Sequence, residues 1–165
     1  MFVVALMLVS TSYASPPDTL VMPRDLGDYA KAKGCLPLTH FFDRPGMVNA
    51  PFVYGVFAGE VEDSAAFWCK QAKSSDKPYL LLLKVAQSKV ADGCPEYIEW
   101  RNVPGGLTVE HRSKMNLQAF RYVSSPTRAT PTTILDKTSV LVNSYDGLTD
   151  VFVCYKGKWL VSSTE

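Results

Sequence analysis

Over much of the chain apolar and polar residues alternate with a period of two, the pattern of strands that bury one face. In Tyr97-Ile98-Glu99-Trp100-Arg101 this puts Tyr97, Glu99 and Arg101 on one face and Ile98 and Trp100 on the other. Leu107-Thr108-Val109-Glu110-His111 alternates likewise, and Asn102-Val103-Pro104-Gly105-Gly106 between them predicts a turn and hence a hairpin. Residues 139–143 repeat the pattern, and Tyr145-Asp146-Gly147 turns the chain. Residues 150–155 and 158–162 flank Lys156-Gly157, predicting a second hairpin with glycine where a positive φ is wanted.

Other segments are apolar without interruption, as strands buried on both faces would be. Phe52-Val53-Tyr54-Gly55-Val56-Phe57-Ala58 is rich in β-branched and aromatic residues, and Tyr79-Leu80-Leu81-Leu82-Leu83-Lys84-Val85 follows Pro78. In 64–71, Asp63 or Ser64 offers a helix cap, but Phe67 and Trp68 favour a strand. Residues 26–32 predict a short helix stopped by Gly34, Ser113 offers a cap for a brief helix over 114–120, and Tyr122-Val123 suits an edge strand. The polar loop 124–133 carries two prolines and is the segment most open to nicking. About eight strands with at most two short helices make the expected class mainly β, or α+β. The expected architecture is an antiparallel meander, sandwich or open barrel.

The N-terminus has a different character. The uncharged run from Phe2 to Val9 is followed by Ser10-Thr11-Ser12-Tyr13, and Ser12 and Ala14 stand at −3 and −1 of a cut before Ser15. Pro16 and Pro17 keep an apolar helix from continuing. This is the layout of a secretory signal peptide, although no Lys or Arg precedes the run. It is far shorter than the ~20 residues of a membrane span. The expected organisation is a signal peptide over 1–14, an N-terminal arm and loop over 15–50, and a single β-rich domain over 51–165.

Export changes the reading of the cysteines. Cys35, Cys69, Cys94 and Cys154 are even in number, and an oxidising compartment favours two disulfides among three possible pairings. Cys69 and Cys154 lie in aromatic-rich runs, whereas Cys35 and Cys94 have Gly/Pro neighbours and look like loop positions. Either like pairs with like, or each loop cysteine ties a strand; the local choice, Cys69–Cys94, would close a loop of about 25 residues. No C-x-x-C, H-E-x-x-H or EF-hand pattern occurs, so neither a metal site nor a cofactor is expected.

Charge and candidate chemistry narrow the picture only a little. Lys+Arg 17 against Asp+Glu 16 argues against a nucleic-acid binder working through bulk positive field. Of the two histidines, His40 stands near Asp43, which could orient its imidazole, and His111 ends a strand. Carboxylates group at Glu60, Glu62 and Asp63 and again at Glu96 and Glu99. The catalytic candidates are thus His40, Asp43 and Glu99. The binding candidates are Trp159, Lys156 and Lys158, an aromatic beside a basic hairpin tip. No G-x-S-x-G surrounds a serine. The expectation is a small exported, disulfide-stapled, non-catalytic binding or interaction protein of the periplasm or cell exterior, with a protein or polymer partner and no transmembrane segment. The alternatives are a secreted hydrolase whose acids assemble in the fold, and a structural subunit of an envelope assembly.

Overall fold

The computed structural model describes residues 22–38, 52–55, 64–71, 79–85, 93–124, 131 and 133–164. The signal-peptide segment, His40, Asp43 and most of the 124–133 loop lie outside them. Strands hold 64% of the described residues, which makes the protein mainly β. One helix, α1 (Arg24–Ala32), precedes β1 (Cys35–Pro37), β2 (Phe52–Gly55), β3 (Ser64–Gln71), β4 (Tyr79–Lys84) and β5 (Tyr97–Trp100). There follow β6 (Gly106–Asn116), a 3₁₀ turn (Leu117–Ala119), β7 (Arg121–Tyr122), β8 (Ile134–Tyr145), β9 (Leu148–Tyr155) and β10 (Lys158–Thr164).

These strands form two antiparallel sheets. In the first, β3 pairs with β4 and β4 with β5, while β1 and β2 share the far edge of β3 in tandem. The second runs β6-β8-β9-β10-β7. The faces packed together bury Trp68, Leu81, Leu83, Ile98 and Trp100 against Leu107, Leu141, Phe152, Trp159 and Val161. Trp100 meets Phe152 edge-on with ring centroids 5.0 Å apart.

Both outer faces are covered as well. Leu26 and Ala30 of α1 sit on Ala65, Phe67, Leu80 and Leu82. Met115, Leu117 and Phe120 fold back over Val140, Val142, Val151, Val153 and Leu160. Central strands with two buried faces account for the unbroken apolar runs, each large side chain being worth roughly 1.5–3 kcal/mol when fully buried.

Three expectations need correction. The segment 97–101 does not form a hairpin with 107–111: among the described strands β5 pairs with β4, and β6 pairs with β8. The chain through 102–105 instead passes from one sheet to the other. The helix expected from Ser113 is not formed, because β6 runs on to Asn116 before a 3₁₀ turn whose Gln118 N–H donates to the Asn116 side chain at 3.0 Å. The third concerns the cysteines. Cys35 joins Cys69 and Cys94 joins Cys154, so each Gly/Pro-flanked cysteine ties a core strand and the local pair Cys69–Cys94 is not made. Cys35 is itself a strand residue, diagonal to Cys69 across the β1–β3 ladder. Cys94 reaches Cys154 across the space between the sheets and staples the two layers.

The two tight turns follow their local chemistry. Asp146-Gly147 and Lys156-Gly157 all have positive φ, the conformation of a two-residue hairpin loop matched to strand twist. Long-range polar contacts seat the helix. The Tyr29 hydroxyl lies 3.2 Å from the Leu83 carbonyl and 3.1 Å from Glu96, its one proton shared between the two acceptors, and Lys33 donates to the same carboxylate at 2.9 Å. Lys84 pairs with Asp25.

The Lys33 hydrogen bond, chiefly, holds the Glu96 carboxyl below the ordinary 4.5 of a glutamate, and the Tyr29 hydroxyl helps. A depressed folded value stabilises the fold above the unfolded value and ceases to do so as pH falls through it. Glu96→Gln should therefore lower the melting temperature at neutral pH, and the gap from the parent should close as the pH is taken below 4.5. A thermal melting series across that range checks it. The pair is partly exposed, so the gap should also shrink with added salt.

Candidate functional site

Among the described residues the sandwich is closed along one side and open along the other. On the closed side β2 packs against β6, where Gly55 lies so near Val109 that a Cβ would sit 3.0 Å from Val109 Cγ2. On the other side the edge strands β5 and β7 stand apart, and between them opens a cleft of about 780 Å³. Its volume is that of a small-ligand or peptide site.

One wall is Tyr97, Glu99, Trp100 and Arg101; the other is Arg121, Tyr122, Lys158 and Trp159. The arrangement follows from strand alternation. Ile98 and Trp100 turn inward to the core and the floor of the cleft, leaving Tyr97 49% exposed on the rim. Glu99 stands beside Tyr97 between the cleft and a second hollow, of about 460 Å³, on the helix side of the first sheet. Arg121 lies opposite Val161, whose side chain faces the inter-sheet core, so the guanidinium takes the cleft-facing side of β7.

Trp159 is only 7% exposed, and its indole N–H donates to the Pro95 carbonyl at 2.8 Å, bridging the sheets beside the Cys94–Cys154 staple. The Lys158 ammonium lies 5.1 Å from the centre of the Tyr122 ring. Trp100, only 5% exposed, carries a buried indole N–H that has no acceptor among the described residues. An unmatched donor of this kind costs about 1–3 kcal/mol.

Three of the residues singled out from the sequence, Glu99, Lys158 and Trp159, thus meet in one cleft. Lys156 does not join them; its ammonium lies over the Tyr155 ring at 5.2 Å. His111 is elsewhere, its Nδ1 2.8 Å from the Ser139 hydroxyl on the exposed β6–β8 ribbon. The sequence reading missed Tyr97, Arg101, Arg121 and Tyr122 as wall residues. The alternation around Ile98 and Trp100 was a signal for the first two; Arg121 and Tyr122 reach the cleft through the pairing of β7 with β10.

Glu99 is the one carboxylate in the cleft's lining among the described residues, against Arg101, Arg121 and Lys158. A two-carboxylate glycosidase places its acids across the sugar at roughly 5–9.5 Å. The described residues hold no group of three or more His, Cys, Asp or Glu spaced to bind a metal ion. They hold no helix long and apolar enough to cross a membrane.

Comparison of the chain with family models, curated proteins and solved structures finds no match. What is established is therefore a class: a small two-sheet β protein stapled by two disulfides, with a basic, aromatic-walled cleft on its open side.

Proposed function

We propose that this is an exported, non-catalytic binding protein and that the cleft between β5 and β7 is where its partner docks. The carrying observation is convergence. Among the described residues, aromatic and charged residues of two sheets line one gap, with Trp100 and Trp159 at its floor, Arg121 facing it and Tyr97 and Glu99 at its rim. A rigid strand framework gives such a site its shape, and the Cys94–Cys154 staple holds the two walls together. Two disulfides fit a periplasmic or extracellular address, where thiols oxidise. The partner, protein or polymer, is met in that compartment.

Arg101 and Arg121 belong to separate sheets, so reversing both charges alters both walls without touching the core. The double variant Arg101→Glu/Arg121→Glu should keep the parent's circular dichroism and retain at least about tenfold less material from native culture medium or envelope extract. Equal retention by the two proteins would exclude the cleft. The hydrolase reading has one specific foothold, Glu99. A polysaccharide- or peptide-cleaving activity that disappears in a folded Glu99→Gln variant would replace the non-catalytic reading.

A further inference from the structure

Hydrogen-bond phase along β5 says more about the occupant than the side chains do. Leu83 N–H donates to the Glu96 carbonyl at 2.8 Å, and the β4–β5 register continues through Leu81↔Ile98 and Tyr79↔Trp100. Opposed residues in an antiparallel ladder alternate between pairs that exchange both backbone bonds and pairs that exchange none. Glu96, Ile98 and Trp100 therefore bond to β4, and the N–H and C=O groups of Tyr97 and Glu99 point away from it, toward the open edge. The same reasoning applies across the cleft. Val123 N–H donates to the Trp159 carbonyl at 3.0 Å, so the backbone groups of Tyr122 face away from β10. No described strand pairs with either edge.

Building on the cleft assignment above, we propose that β5 is a receiving edge for strand addition, and that its occupant is an extended acidic polypeptide segment. Backbone groups of that segment pair with Tyr97 and Glu99, as in other edge-strand recognition. Its side chains then alternate between the cleft and the outer face. An acid on the cleft-facing side meets Arg121, and one at the end of β5 meets Arg101. Glu99 disfavours an acid directly opposite itself, which fixes register. Long edge strands are ordinarily blunted by lysine, proline or a bulge. β5 is a short edge of four residues with one charge, Glu99, but it carries no lysine or proline and presents Tyr97 at 49% exposure.

The probe is a blocked octapeptide alternating Glu and Val, titrated by tryptophan fluorescence and by calorimetry. Two isomers, N-methylated on the Glu amides or on the Val amides, report backbone pairing without changing the protein. Polygalacturonate supplies carboxylates on a chain that has no peptide backbone. The expected result is binding of the parent peptide that weakens at least tenfold in Arg121→Glu and in one or both methylated isomers. Isomers that both bind like the parent would overturn strand addition. So would binding of polygalacturonate in place of the peptide, while leaving the cleft as the binding site. If neither probe binds, strand addition falls; the cleft assignment falls with it only if Arg101→Glu/Arg121→Glu also leaves partner capture unchanged.

Discussion

Removing the inter-sheet staple, as Cys94→Ala/Cys154→Ala, should lower the free energy of unfolding by about 4 kcal/mol, the chain-entropy value for its loop. The separation of 60 residues makes this the longer of the two loops. Both sulfurs are in the inter-sheet core, so the variant also loses packing there. The cleft should feel the change, because Pro95, next to Cys94, takes the Trp159 indole hydrogen bond and leads into β5. Urea unfolding followed by tryptophan fluorescence measures the loss. Cys35→Ala/Cys69→Ala is the informative contrast: that bond joins β1 to β3 beneath α1, at the closed side. It should destabilise the fold yet leave the cleft's binding properties unchanged. A Cys94→Ala/Cys154→Ala variant as stable as its parent would refute the assigned pairing.

The second large effect is expected at Gly105, in the crossover from β5 to β6. A Cβ there would press on the Ser144 carbonyl oxygen, with the carbonyl carbon at 2.6 Å and the Tyr145 Cβ at 2.9 Å. The obstacle is backbone, which cannot swing aside. The same residue is held from both ends: its N–H donates to the Asn143 side chain at 2.6 Å, and its carbonyl accepts from the Trp68 indole at 3.1 Å. Asn143 in turn donates to Asp150, which accepts from Ser163, so a buried polar chain fastens the crossover to β8, β9 and β10. Gly105→Ala must shift that network and should cost about 3 kcal/mol or more. Gly27→Ala should do the opposite. It lies within α1 with nothing within 4 Å of a built Cβ, and alanine there should stabilise by about 0.5–1 kcal/mol. Chemical denaturation of both variants checks the pair of signs.

The strands were legible wherever burial imposes a simple pattern. Alternation around Ile98 and Trp100, the leucine run of β4 and the two X-Gly turns each report a local constraint: one face in, both faces in, or a positive φ. The α1 helix was legible through its stop at Gly34. Residues 102–106 misled because their Pro-Gly-Gly chemistry equally serves a hairpin and a passage between sheets. What distinguishes the two is whether Tyr97 to Trp100 find a partner in β4 or in β6, a contact that leaves no local trace. Ser113 misled for a related reason. Its capping chemistry lost to the extended β6–β8 ladder, which gains hydrogen bonds from a strand some 20 residues further on.

The candidate site was visible in fragments. Glu99, Lys158 and Trp159 each stood out by their neighbours, but the cleft they line lies between edges that no described strand pairs with. By itself the sequence determined the class of fold, the positions of most strands and the stock of two disulfides' worth of cysteines, because backbone alternation, turn residues and thiol count are local or countable properties. Tertiary structure alone decided which cysteines meet, which strands share a sheet and which edge is left unpaired. Those are choices among distant segments, made by the packing of Trp68, Trp100, Phe152 and Trp159 between the layers, where the burial of many side chains at once outweighs any single local preference.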